Sequence, residues 1–219
     1  MSWRVGLIDS CGSWSGAVEA AAFVSDGAHV ERVSPAIDPT GHGSRIAGLL
    51  TADAASTELL LAQVFLTARP ASAAVVAAAI DWAVSHGAQL IHLSLGVATD
   101  RPVLRAAVAR ASDSGIITVA AMPARGAPVY PAAYPSVIGG TGDARCAPGD
   151  ISLLGPRLFG GCAQTAGGRR GGASVGAAWV SKAIMRSPAG TRPEAAIEAL
   201  RQAARHVGPE RHRMPLDLA

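Results

Sequence analysis

The stretch Glu58 to Ala121, ELLLAQVFLTARPASAAVVAAAIDWAVSHGAQLIHLSLGVATDRPVLRAAVARASDSGIITVAA, alternates between two kinds of apolar pattern. Leu59 to Phe65 is a short, nearly continuous apolar run, which suits a strand buried on both faces. A turn through Arg69-Pro70 leads to Ala71 to His86, which is too long for a strand, rich in alanine, and predicted as a helix. Leu90 to Leu95 and Ile116 to Ala121 repeat the strand pattern after Gly87 and Gly115, and Pro102 to Ser114 between them is a helix opened by proline. Strand, helix, strand units of this length need right-handed crossovers. They predict a three-layer α/β fold with a mainly parallel central sheet and helices on both faces.

Outward to the N-terminus, Arg4 to Ile8 is a further buried strand that delivers Asp9 at its C-terminal end, the edge where ligands and catalytic groups gather in such sheets. A lone aspartate there also serves as a simple turn cap. Ser13 to Ala22 fits helix or strand equally, Val30 to Val33 reads as a strand, and Ser34 to Thr40 as a loop. Gly41-His42-Gly43-Ser44-Arg45-Ile46-Ala47-Gly48-Leu49-Leu50 opens a helix whose buried face is Ile46, Leu49 and Leu50, and its flanking glycines leave His42 free to turn into a cleft. Toward the C-terminus, Met122 to Pro135 is a loop, Val137 to Gly139 and Ile151 to Leu154 are short strands, and Phe159 to Gly172 is a glycine-rich loop. Gly172-Ala173-Ser174-Val175-Gly176-Ala177-Ala178-Trp179-Val180 then puts a serine at a helix start, where free backbone N–H groups favour developing negative charge. Taken alone, such a serine reads as an N-cap. A terminal helix is predicted from Pro193 to His206, and residues 207–219 form a loosely held tail.

With 219 residues and 49% hydrophobic content, the chain suits one core and a single domain over residues 1–219. The net charge of +3 is dispersed and aromatics are only 4%, so neither a phosphate-tracking stripe nor a base-stacking platform is visible, and nucleic acid is not an expected partner. The apolar helical run from Ala71 is interrupted by Asp81 and falls short of the roughly 20 residues that span a bilayer, so no membrane association is expected. Met1 to Arg4 runs straight into the first strand without a secretion signal, so a cytoplasmic protein is expected. Cys11, Cys146 and Cys162 are odd in number and lack metal-ligand spacing, which predicts reduced thiols, no disulfide and no metal. Cys11 and Cys162 read as small buried fillers. If either bordered a cleft, thiol alkylation would inhibit.

Asp9 at a strand end, His42 at one helix start and Ser174 at another are the parts of a charge-oriented nucleophile, in the chain order Asp, His, Ser. Here the sequence resembles the subtilisin-like serine proteases. VGLIDS around Asp9 is similar to their aspartate motif, GHGSRIAGLL to their GHGTHVAG, and GGASVGAAWV to their GTSMAAPHV. GAQLIHLSLG resembles the strand that lines their substrate cleft, and ITVAAMP followed by YPAAYPSVIGG resembles VVAAAGN and YPASYPNVIAV. The resemblance implies a subtilisin-like fold with Ser174 as nucleophile, His42 as general base and Asp9 as its orienting partner. It also implies that Ser94, Leu95 and Gly96 form a cleft edge that pairs with an extended peptide, and that Ala120 and Ala121 line the pocket for the side chain preceding the cleaved bond.

The departures from that pattern are informative. Where the family carries an asparagine that hydrogen-bonds the oxyanion, this chain has Met122-Pro123-Ala124, and it contains no asparagine anywhere. The expected donors are the backbone N–H of Ser174 together with Gln164 or Arg125. Arg169 and Arg170 could receive an acidic substrate segment, and the basic residues Arg205 to Arg213 read as solvated surface. The resemblance implies an endopeptidase with no cofactor, acting on a peptide or protein substrate such as a leader-bearing subunit of an enzyme under maturation. Two alternatives stay open: a pseudoprotease that binds a peptide as a maturation factor, and a peptide ligase or macrocyclase in which an amine resolves the acyl-enzyme.

Overall fold

The computed structural model describes residues 2–52, 57–66, 70–164 and 171–209. In chain order these residues form β1 (Trp3–Asp9), β2 (Ala17–Ser25), β3 (Val30–Val33), α1 (His42–Thr51), β4 (Thr57–Gln63), α2 (Ala73–Ser85), β5 (Leu90–Leu93), α3 (Pro102–Asp113), β6 (Ile117–Ala121), β7 (Ile138–Asp143), β8 (Ile151–Leu153), β9 (Leu158–Cys162), α4 (Gly172–Ile184), α5 (Pro193–Gln202) and β10 (Ala204–Val207). The strands make one sheet in the order β10-β8-β9-β7-β6-β5-β1-β4-β2-β3. From β2 across to β9 the neighbours run parallel, while the β2–β3 and β8–β9 pairs are antiparallel. β1 lies between β4 and β5, with Leu7 opposite Leu61 on one side and His92 on the other.

Apolar side chains on both faces of the central strands require two covering layers. Ile8, Leu60, Ile91 and Leu93 pack with the buried faces of α2 and α3, whereas Val5, Leu7, Leu59, Leu61 and Leu90 pack with α1, α4 and α5. Fully burying each leucine contributes about 2 kcal/mol, and a one-residue slip would exchange the faces, so the register of β1 is strongly specified. The predicted three-layer α/β fold is the fold observed. No helix among the described residues is long and apolar enough to cross a membrane.

Several element predictions need correction. The undecided segment Ser13 to Ala22 contributes to a strand, β2. Phe159 to Gly172, expected to be a loop, contains β9. Its glycines misled the reading because they serve close packing: a Cβ on Gly161 would come within 2.6 Å of Trp179 Cβ and 2.7 Å of the Gly176 carbonyl. The terminal helix ends at Gln202, and Ala204–Val207 turns into β10, which pairs in parallel with β8. Gly208 is tied down, donating to the Leu153 carbonyl at 2.8 Å and accepting from Arg145 Nη2 at 2.8 Å. The rest of the expected tail, residues 210–219, lies outside the described residues, as do Arg169 and Arg170.

Candidate active site

β1 ends in the middle of the sheet with Asp9, which is 2% exposed. Its Oδ1 accepts the Ser10 backbone N–H at 2.7 Å and the Ser10 hydroxyl at 3.2 Å. His42 Nδ1 lies 2.9 Å from Asp9 Oδ1 and 3.0 Å from Oδ2. A carboxylate only accepts hydrogen bonds, so the proton of the neutral imidazole is on Nδ1 and the lone pair is on Nε2. The Asp9 hydrogen bond raises the His42 pKa against the opposing effect of burial. The Asp9 side chain is buried while that of His42 is 33% exposed, and with Nδ1 bonded to Asp9 the Nε2 lone pair is left free to accept a proton.

The chain around His42 is held by a second carboxylate. His42 is the first residue of α1, and its N-cap, Gly41, has φ 66° and no capping side chain. Asp38 takes over the cap: its Oδ1 accepts the Gly41 N–H at 2.8 Å and the Thr40 N–H at 3.1 Å, while Oδ2 accepts the Ser44 N–H at 2.8 Å and the Ser44 hydroxyl at 2.7 Å. Burial alone would push the Asp38 carboxyl up, but these bonds, led by Ser44, outweigh it and hold the group well below the usual carboxylate range. Ser10 Oγ accepts the Gly43 N–H at 3.0 Å and is hydrogen-bonded to Thr40 Oγ1 at 3.0 Å, which joins the end of β1 to the start of α1. Gly43 permits this approach, because a Cβ there would lie 2.4 Å from the Cys11 backbone nitrogen.

Ser174 is the third residue of α4 and is half-buried. The N-cap is Gly171, so the capping role open to a serine at a helix start is not the one Ser174 takes. Its backbone N–H is one of the four at a helix start without an intrahelical acceptor. Its hydroxyl donates to the Ser94 carbonyl at 3.3 Å. That bond points it along the end of β5, and no hydrogen bond joins it to His42; such contacts are commonly long before a substrate binds. α1 and α4 pack against each other on the same face of the sheet.

Ser94, Leu95 and Gly96 continue from β5, with Gly96 exposed. The next residue, Val97, forms an antiparallel bridge to Tyr130, with N–H to carbonyl distances of 2.7 and 2.8 Å, and Val129 packs so closely that a Cβ on Gly96 would come within 2.5 Å of it. Ala120 and Ala121 end β6 and point to opposite faces. Ala120 is 0% exposed and packs on the α2 and α3 side, so it has no surface with which to line a pocket. Ala121, at 6%, faces the layer that holds α1 and α4. Met122 uses its backbone N–H on the Gly140 carbonyl at 2.8 Å. Gln164 and Arg125 are both exposed, and no hydrogen bond joins either side chain to Ser174. Cys11, Cys146 and Cys162 are free and buried, and burial pushes the Cys11 and Cys146 thiols up, the latter to about 11. Among the described residues no group of three or more His, Cys, Asp or Glu could hold a metal ion.

The sequence reading passed over Asp38, Ser10, Thr40 and His92. A signal existed for Asp38, an Asx residue ahead of a helix whose own cap is glycine. His92 offered only a polar residue inside an otherwise apolar strand.

The three-layer fold thus brings a carboxylate, an imidazole and a helix-start serine toward one edge of its mainly parallel sheet, the arrangement the subtilisin-like resemblance leads one to expect. Residues 13–143 match the model of the subtilase family of peptidases, and the chain belongs to that family. The match includes His42; Asp9 lies just before it and Ser174 beyond it. Among similar proteins, the minor extracellular protease Epr of Bacillus subtilis is 32% identical over 113 residues, 46% of this chain and 18% of that protein. The thermostable alkaline protease of Halalkalibacterium halodurans is 33% identical over 112 residues, 46% of this chain and 31% of that one. Subtilisin DY of Bacillus licheniformis is 31% identical over 116 residues, 46% of this chain and 42% of that one. The matched segment therefore spans less than half of each relative. The fold is similar to that of the prenylagaramide maturation protease PagA, with a TM-score of 0.58 at 18% identity over 84% of this chain and 73% of that one.

Proposed function

We propose that this chain is a serine endopeptidase that cuts a peptide bond through an acyl-enzyme, with Ser174 as nucleophile, His42 as general base and acid, and Asp9 as the partner that orients His42. The observation that carries the reading is the contact of His42 Nδ1 with both Asp9 oxygens, at 2.9 and 3.0 Å, which leaves Nε2 as the acceptor. Ser174 Oγ bonds to the carbonyl carbon while its proton passes to Nε2. The carbonyl π pair moves to oxygen as an oxyanion, which the Ser174 backbone N–H stabilises together with Gln164 or Arg125. As the C–N bond breaks, His42 returns the proton to the leaving amine. Water then bonds to the acyl carbon while giving a proton to His42, and as the C–Oγ bond breaks His42 passes that proton to Ser174 Oγ, which frees the carboxylic acid product.

The substrate is a peptide or protein paired in extended form along Ser94, Leu95 and Gly96. Without the asparagine donor the rate is reduced by about 10² to 10³, a speed adequate for one dedicated cut and poor for general digestion. Removal of a leader or propeptide from a specific protein fits that chemistry. The similarity in fold to a maturation protease is consistent with it. So is the likeness in size and general architecture to the protease that trims the γ subunit of quinohemoprotein amine dehydrogenase. Three free thiols fit work in a reducing cytoplasm, by one domain.

A second reading, a peptide-binding maturation factor without turnover, is favoured by one observation, Met122-Pro123-Ala124 where the family carries its asparagine. Labelling with a fluorophosphonate, with the adduct located by mass spectrometry, separates the two. An adduct on Ser174 that is lost in Ser174→Ala supports the protease, whereas absence of labelling in folded protein supports the binder. Product mass then distinguishes hydrolysis, which adds water, from ligation, which does not.

A further inference from the structure

His92 is 0% exposed in a strand whose other members, Leu90, Ile91 and Leu93, are all apolar. A buried imidazole without partners is costly, and here both nitrogens are matched. Nδ1 lies 2.9 Å from Ser181 Oγ, and Nε2 lies 2.9 Å from Ser94 Oγ. Ser181 is itself 0% exposed and sits on α4 seven residues after Ser174. Seven residues are close to two helical turns, so the two serines share one face of α4, about 10 Å apart along its axis. The upper one, Ser174, donates to the carbonyl of Ser94 at 3.3 Å. The same residue, Ser94, is thus gripped twice from one helix: its hydroxyl through His92 by Ser181, and its carbonyl by Ser174.

We propose that His92 is a positioning residue that fixes the end of β5 to α4 through Ser94 and Ser181, and so sets the distance between Ser174 and the cleft edge on which the substrate lies. This rests on Ser174 being the nucleophile. An apolar residue at position 92 would serve the core equally well and would leave two hydroxyls unpartnered. The neutral ring, kept uncharged by burial, has one N–H and one lone pair, so one serine hydroxyl donates to it and the other accepts from it. The chain of bonds is therefore directional, and breaking either end loosens the other.

The test uses the full chain and the rate at which a fluorophosphonate modifies Ser174, resolved into the limiting rate kinact and the half-saturating concentration KI, well below each variant's unfolding midpoint. Ser181→Ala, remote from the cleft, should lower kinact about tenfold with KI unchanged. Ser94→Ala should lower kinact by a similar factor. The double variant should be no slower than the slower single one, because both act through one imidazole. Ser181→Thr, which keeps the hydroxyl, should recover most of the rate. Wild-type kinact in folded Ser181→Ala, or a double variant slower by the product of the two factors, overturns the proposal. If wild type is not labelled at Ser174, the protease reading fails instead. His92→Leu is a supporting variant, and should it not fold, the two serine variants decide.

Discussion

Acidification from about pH 7 to about pH 5 should destabilise the folded protein through His92. Burial holds this imidazole at about 4 against an ordinary 6.5, with the Asp9 carboxylate pulling it slightly up and His42 pushing it slightly down. Between those values the unfolded chain binds a proton that the folded chain refuses. Stability is therefore intact above 6.5, falls as pH drops through 6.5, and has lost the full contribution, about 3 kcal/mol, near pH 4. The slope should approach about 1.4 kcal/mol per pH unit near pH 5. Other shifted groups leave this window clear. His42 is shifted the opposite way by Asp9, so its stabilising pair is fully formed below 6.5 and weakens only as pH rises through its raised pKa. Asp38 and Asp143 are held below the ordinary 3.8, Asp143 at about 2, and act only in stronger acid. Urea unfolding of wild type and His92→Asn at several pH values between about 6.5 and 5 measures the slope directly. The variant should be less stable at neutral pH but nearly flat where wild type declines. Equal slopes in the two proteins would refute the assignment of a buried neutral imidazole at this position.

Asp38→Ala should destabilise by about 1 kcal/mol through loss of the α1 cap and slow Ser174 labelling several-fold because His42 begins that helix; urea midpoints and labelling rates check both. Gly43→Ala should cost at least about 1 to 3 kcal/mol, since its methyl would meet the Cys11 backbone, and a thermal midpoint equal to wild type would contradict the close approach. The labelling rate should rise with pH through a midpoint above the ordinary 6.5 of histidine, and Asp9→Asn should lower that midpoint and the plateau rate, the latter by about 10⁴-fold; a midpoint unmoved in the variant would argue against the coupling. Gln164→Ala should reduce peptide cleavage more than Arg125→Ala, as the rates on one substrate will show.

The layer order and the Asp9–His42 pair were legible in the sequence because each follows from a local signal. Apolar runs bounded by glycine and proline report strands and helices, and a histidine between glycines has few structural uses. Other features depend on partners distant in the chain. β9 was hidden because glycines that read as a loop are instead the surface against which α4 lies: Gly161 faces Trp179, and Gly140 faces Ala177 so closely that a Cβ would be 2.4 Å from its Cα. β10 was hidden for the opposite reason, since Ala204 to Val207 continues a helical pattern and becomes a strand through pairing with β8. His92 and Ser181 are 89 residues apart, and no periodicity connects them. Ala120 was assigned to a pocket on resemblance, but the alternation of β6 turns it to the opposite face from Ala121.

The same packing bears on how an oxyanion can be met without asparagine. Gly176 lets α4 sink until a Cβ there would stand 1.9 Å from the Thr141 carbonyl, so the helix start, and the Ser174 amide with it, is held at a fixed height over β7. The backbone beyond β6 cannot supply a replacement at Met122, because that N–H is already bonded to the Gly140 carbonyl at 2.8 Å. In the proposed mechanism the second donor is a side chain, and one on a segment that keeps station with α4 suits the role best. Gly171 donates to the Ala163 carbonyl at 2.7 Å, which ties the residue before Gln164 to the helix start itself. Arg125 belongs to a different loop, one that is anchored through Tyr130 to Val97 and hence to the cleft edge. Preorganisation favours the donor whose anchor is shared with the nucleophile, since it need not be repositioned as charge develops. That distinction makes Gln164 the stronger of the two candidates, although the guanidinium is the stronger charge.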